Sequence, residues 1–213
     1  MKHLLLLLLP ILFTSCSTGG GNSGGGTSAP IYPWPESQGT VKVNDPIIVT
    51  GTYDGKMKTH DGAGLAGNCG QAENMEPMFV LKSGAILKNV IIKEAPDGIH
   101  VEGNNVKIQK VYMRDVCEDA VTISGDNTLI EDCAWEGAAD KIVQVNRGKN
   151  SQIIKNWMKI FKSGVRVKKG AYVALVKNCT FIDGSGAVVL DSGVKAPKME
   201  DNGFYNVKYE VRK

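Results

Sequence analysis

A period of about 22 residues runs through the chain from Val41 onward. It is carried by short runs rich in Val and Ile. Ile86-Leu87-Lys88-Asn89-Val90-Ile91, Val106-Lys107-Ile108-Gln109-Lys110-Val111, Thr128-Leu129-Ile130-Glu131-Asp132-Cys133, Gln152-Ile153-Ile154-Lys155-Asn156-Trp157 and Ala174-Leu175-Val176-Lys177-Asn178-Cys179 superpose. In that alignment a polar residue precedes the last apolar one at Asn89, Lys110, Asp132, Asn156 and Asn178, in steps of 21, 22, 24 and 22. A weaker copy ends in Tyr205-Asn206-Val207. A second set of runs lies between these: Gly98-Ile99-His100-Val101, Ala120-Val121-Thr122-Ile123, Lys141-Ile142-Val143-Gln144-Val145, Gly164-Val165-Arg166-Val167 and Gly186-Ala187-Val188-Val189-Leu190. Each repeat therefore carries at least two short strands with apolar/polar alternation. Turn residues such as Gly103-Asn104-Asn105 and Gly125-Asp126-Asn127 separate them.

Few architectures accept that period. No helix of useful length is predicted, and a strand-helix-strand unit needs roughly 30 residues. The Leu-x-x-Leu-x-Leu pattern of leucine-rich repeats is absent. A parallel β-helix remains, an all-β fold in which no coil buries its apolar side alone. The alignment predicts an interior stack of Val90, Val111, Cys133, Trp157 and Cys179.

The same period organises the acidic groups. Asp97, Asp119 and Asp140 follow one another at 22 and 21 residues. Equivalent positions on stacked strands lie roughly 4.8 Å apart. The spacing predicts a ladder of three carboxylates, with Glu118 beside it and Lys141 and Arg166 at its end. Like charges that close repel unless a cation neutralises them. A lone Asp-Gly is ordinarily a turn and a lone Lys a solvated side chain, so the clustering carries the functional reading. His100 is expected to be structural.

The chain has 213 residues and a formal net charge of +3. That charge is too small and too mixed in sign to argue for nucleic acid, and no aromatic-plus-basic motif accompanies it. Met1-Lys2-His3 and the apolar run to Phe13 form a secretory signal pattern, too short to span a membrane. Residues 1–15 read as signal peptide. Phe13-Thr14-Ser15-Cys16 resembles a bacterial lipoprotein box, with Cys16 as the lipidated residue. Residues 16–38 then read as a linker, flexible where rich in Gly and Ser and stiffer through Pro30-Ile31-Tyr32-Pro33-Trp34-Pro35. The folded domain is expected over 39–213, as a monomer. After Cys16 four cysteines remain. Cys133 and Cys179 take inward positions and read as buried free thiols, whereas pairing between Cys69 and Cys117 stays open.

From about Gly62 to Arg166 the motifs resemble the family 3 polysaccharide lyases, secreted pectate lyases. The resemblance rests on Ala72-Glu73-Asn74, Pro77-Met78-Phe79, Gly84-Ala85-Ile86-Leu87-Lys88-Asn89-Val90, Asp97-Gly98-Ile99-His100, Asp115-Val116-Cys117-Glu118-Asp119-Ala120, Ala139-Asp140-Lys141 with Gln144 and Asn146, and Val165-Arg166. It implies a right-handed, single-stranded parallel β-helix and calcium-dependent β-elimination on polygalacturonate. It assigns Asp97, Glu118 and Asp119 to Ca²⁺, Lys141 and Arg166 to catalysis, and Glu73, Asp140 and Lys162 to substrate. Ser124 and Ser163 stand where the family carries lysines. That departure motivates an alternative: an acidic-polysaccharide-binding protein at a surface, without turnover.

The chemistry agrees with those residue types. Hard cations take oxygen ligands, so carboxylates without cysteine or histidine suit Ca²⁺. A cation bridging protein and substrate carboxylates makes the uronate C5 proton removable. The base must be neutral when it acts. Lysine loses its proton more readily than arginine, and neighbouring cations help it to do so. Lys141 is therefore expected as base and Arg166 as the clamp on the substrate carboxylate, with the reverse assignment left open.

Overall fold

The computed structural model describes residues 28–67 and 75–213. Among these are seventeen strands and no helix. All the strand pairings are parallel, and each joins a strand to one about one period further on. The chain is a parallel β-helix, as the period predicted.

Each full coil has three faces rather than the two strands expected. On the first face, Ile99, Val121, Val143, Val165, Val188 and Val211 lie in register. On the second, the column is Leu87, Ile108, Ile130, Ile153, Val176 and Met199. On the third it is Ile91, Tyr112, Ala134, Trp157, Thr180 and Gly203. Of the second-face column, all but the last residue are fully buried. β-Branched side chains suit this wall because they fill the pleated surface with little rotamer freedom to lose.

The third face escapes a sequence reading because it follows the second without a break. The two are joined by a single residue with left-handed backbone: Asn89, Lys110, Asp132, Lys155, Asn178 and Asp201, all with φ between 51° and 55°. One such residue turns the strand onto the next face. Asn and Asp adopt this conformation at little cost, whereas Lys110 and Lys155 each give up roughly 1 kcal/mol.

Lys155, not Asn156, makes that turn in the fourth coil, so the alignment above slips there by one residue. A one-residue slip exchanges inside for outside. The interior stack is therefore Val90, Val111, Cys133, Asn156 and Cys179, with Asn202 following. Asn156 is only 2% exposed. It is satisfied there: its Nδ2 donates to the carbonyls of Ile130 (3.0 Å) and Ile154 (2.8 Å), and its Oδ1 accepts from the Trp135 indole at 3.2 Å. Cys133 and Cys179 are free and buried as expected. Cys117 is disulfide-bonded, and Cys69, considered above as its partner, lies outside the described residues. The copy assigned to Tyr205-Asn206-Val207 also shifts. Asn206 sits at the corner between third and first faces, where its Nδ2 donates to Asp183 Oδ1 at 2.8 Å.

Trp157 consequently points outward from the third face, yet it is 7% exposed. The segment read as linker covers it. Tyr32 and Trp34 lie against Trp157 with centroids 5.5 and 5.7 Å away, and the Arg114 guanidinium stands 4.7 Å over Trp34. Ala29 packs on the same cluster. Packing against the domain thus begins at about Ala29 rather than at Gly39. Residues 1–27, with the signal pattern and Cys16, lie outside the described residues.

Asn156→Ala should leave the Trp135 indole N–H without an acceptor inside the coil. The expected loss is about 2 kcal/mol, read as a lower urea midpoint at unchanged m-value. A variant as stable as wild type would show that the interior amide is dispensable.

Candidate active site

The corner between third and first faces gathers the polar residues. Its first row follows the β register: Asp119 pairs with Lys141, Lys141 with Ser163, and Ser163 with Gly186. Asp97 holds the same position one coil before Asp119, since Ile99 pairs with Val121. The row is therefore Asp97, Asp119, Lys141, Ser163, at a constant 22 residues. This corrects the expected ladder: Asp140 is one residue out of it, level with Glu118. A second row, three residues further along each strand, is His100, Thr122, Gln144, Arg166, Val189 and Arg212.

Ion pairs knit the first row together. The Lys141 ammonium is 3.3 Å from Asp119 Oδ1 and 2.7 Å from Asp140 Oδ2, and the Lys141 backbone N–H donates to Asp119 Oδ1 at 3.2 Å. Lys162 reaches Asp140 Oδ1 at 3.2 Å. Asp97 Oδ1 accepts from the Gly98 N–H (2.9 Å), and its Oδ2 meets His100 Nε2 at 2.7 Å. His100 is thus a partner of Asp97, in keeping with a structural role. In the second row, Arg166 pairs with Asp191, which also accepts from the Lys169 N–H at 3.0 Å.

Burial sets the electrostatics. Asp119 is 5% exposed, and that burial pushes its carboxyl up from 3.8 to about 6. Lys141 opposes the rise, while Glu118 and Asp97 add to it. Burial would by itself lower Lys141, but Asp140 and Asp119 outweigh it and hold the ammonium above its ordinary value. Burial also works against ionisation of Asp140, where Lys141 and Lys162 prevail and keep the carboxyl below its ordinary value. The hydrogen bond from Asp97 raises His100 against its own burial. The expectation that Lys141 would lose its proton readily beside Arg166 does not hold in this arrangement. Its nearest charged neighbours are carboxylates.

Next to the pairs lies an open cavity of about 280 Å³, lined by Asp140, Lys141, Gln144, Lys162, Ser163, Arg166, Lys168 and Arg212. Arg166 Nε and Gln144 Oε1 are buried beside it without a hydrogen-bond partner, so a donor and an acceptor remain for a ligand. Asp191, Lys168 and Arg212 went unread in the sequence. The signal was the period itself, since Asp191 and Arg212 fall about one and two coils after the basic residues they accompany. Glu73 lies outside the described residues.

Whether the carboxylates suit Ca²⁺ has two answers. By charge and chemistry they do: the donors are hard oxygens, and Asp97 and Glu118 both raise Asp119, a repulsion that a cation relieves. As they stand, however, no three His, Cys, Asp or Glu side chains converge to hold a metal ion among the described residues. Asp119 is turned to Lys141 and Asp97 to His100.

Comparison with known proteins fits this geometry. The pectate lyase family model matches residues 32–171. Pectate lyase E of Emericella nidulans is 35% identical over 178 residues, covering 77% of this chain and 68% of that protein. The chain belongs to the pectate lyase family. By that membership it is a lyase. A probable pectate lyase E of Aspergillus fumigatus aligns over 98% of this chain and 91% of its own length at 32% identity. Among solved structures, the catalytic domain of pectate lyase PelI from Erwinia chrysanthemi covers 83% of this lyase and 98% of its own chain. Its identity is 19% and its TM-score 0.44, a likeness too distant to inform the site.

Asp119 generates a pH prediction for the calcium-free protein. Its folded value is raised, so its contribution to stability is fully present below about pH 4 and is lost as pH rises through about 6. Asp119→Asn removes that dependence. Melting temperatures in chelator between pH 4 and 7 should fall less steeply for the variant than for wild type. Equal slopes would mean that burial does not govern this carboxyl.

Proposed function

We propose that this lyase cleaves polygalacturonate by calcium-dependent β-elimination. The reading rests chiefly on the row Asp97, Asp119, Lys141 with Arg166 beside it, four charged residues brought to one corner by register. Calcium on Asp97, Glu118 and Asp119 supplies charge withdrawal from the substrate carboxylate, which makes the C5 proton acidic. Arg166, kept charged and oriented by Asp191, grips a uronate carboxylate with two parallel N–H donors. Lys141 takes the proton from C5. The electron pair forms the C4–C5 double bond, the C4–O bond breaks, and the leaving oxygen is protonated by water.

Lys141 stays protonated while Asp119 and Asp140 both hold it. Its use as base therefore requires Asp119 to be engaged elsewhere, which binding of the cation there accomplishes. Asp140 then remains paired with Lys162, so these two reach the substrate as a linked pair, with Lys162 the more exposed. Ser163 is buried in the row after Lys141, where a lysine would have added a further cation. Together with the clamped Lys141, this favours a second reading, a calcium-dependent polyuronate binder without turnover.

The purified protein should convert polygalacturonate into unsaturated oligomers absorbing in the near ultraviolet, and a chelator should abolish the reaction. Binding without that product across alkaline pH, with calcium present, selects the second reading. Lys141→Ala should lower kcat/KM by about 10²-fold or more, with no recovery in excess calcium. Asp119→Asn should recover in part, because a weakened metal site is refilled by mass action. The opposite pattern would reverse the roles of the two residues. For location we propose export and anchoring through Cys16. Cys16→Ser should leave the membrane fraction, and continued association would exclude the anchor.

A further inference from the structure

The cleft carries more positive charge than the reaction above uses. Lys141 is matched by Asp119 and Asp140, and Arg166 by Asp191. At the far end of the same cavity stand Lys168 and Arg212, and neither is ion-paired among the described residues. Arg212 lies on the final strand, Val211–Arg212, and belongs to the row of Gln144 and Arg166. Val189 separates it from Arg166. The two guanidinium-bearing positions are therefore two coils apart, roughly 9.6 Å along the helix axis. Val189 is buried, so no long side chain rises between them.

We infer that Arg212, with Lys168 beside it, is a second carboxylate subsite that lengthens the grip on a polyuronate along the coil axis. This rests on the polyuronate reading given above. A polyuronate carries one carboxylate on every sugar, so its anionic groups recur at about the size of a sugar ring, close to the coil spacing. A chain seated with one carboxylate on Arg166 and lying along the row places another over Arg212. Unpaired cations at the rim of a cleft attract a polyanion and hold it in register, at a strength that falls with salt. The subsite therefore selects for length: a short oligomer fills the Arg166 position, and a longer one also reaches Arg212.

The test compares wild type, R212Q and R212K, with K177Q on the second face as control. Two readouts are taken with calcium present: cleavage of long polygalacturonate against the shortest oligomer cleaved, and retardation of the protein in gels containing polygalacturonate. In R212Q the gain in kcat/KM from short to long substrate should shrink by about threefold to fivefold, the size expected of one exposed charge contact. Gel retardation should weaken with it and lose part of its salt dependence. R212K should keep most of both, and K177Q should match wild type. Unchanged length preference and retardation in R212Q overturn the inference, as does an equal loss on every substrate length. If wild type is retarded but does not cleave, the lyase reading fails and the gel still decides the subsite. If it neither cleaves nor is retarded, both fall.

Discussion

Everything in this molecule depends on the return of the chain to the same position about 22 residues later. Parallel strand pairing holds each coil on the last, so a residue's spatial neighbours are its counterparts one period away. Interior columns such as Leu87, Ile108, Ile130, Ile153 and Val176 are one consequence. The placement of Lys141 directly on Asp119 is another. Core and site are thus built by one rule, and an inserted or deleted residue in a coil disturbs both.

The site illustrates how narrow that rule is. A step of 21 residues would put Asp140 above Asp119 and make a row of three repelling carboxylates. The actual step of 22 puts Lys141 there instead and moves Asp140 to the lysine's other side. A destabilising cluster becomes a cation held between two anions. Before any metal arrives, the buried Asp119 charge has a partner within the fold, which is the condition under which a buried ion is tolerable. The same partner keeps Lys141 protonated.

Much of this was legible in the sequence. The period, the absence of helices, the inward cysteines and the grouping of Asp97, Asp119, Lys141 and Arg166 all follow from spacing and residue type. Three features did not. The third face was hidden because a single left-handed residue, such as Asn89 or Lys110, replaces the turn signal that would mark a new strand. The Asn156/Trp157 slip was hidden because an asparagine is read as outward and a tryptophan as inward. Here the interior amide is bonded by Trp135 and two carbonyls, and the outward indole is roofed by Tyr32 and Trp34. Asp191 and Arg212 were missed because nothing local marks them. Only the register brings them to the cleft.

The same slip distributes the chain's three tryptophans unevenly. Trp135 is sealed inside a coil with its N–H bonded to Asn156. Trp34 and Trp157 face each other across the docked N-terminal segment, edge to face at 5.7 Å. Intrinsic fluorescence of this protein is therefore two optical signals in one. The Trp34–Trp157 pair reports release of the segment from the outer wall, and Trp135 reports entry of water into the coil. A denaturation curve followed by emission wavelength will separate them if the segment lifts before the helix unwinds, and will show one transition if the two are a single cooperative unit.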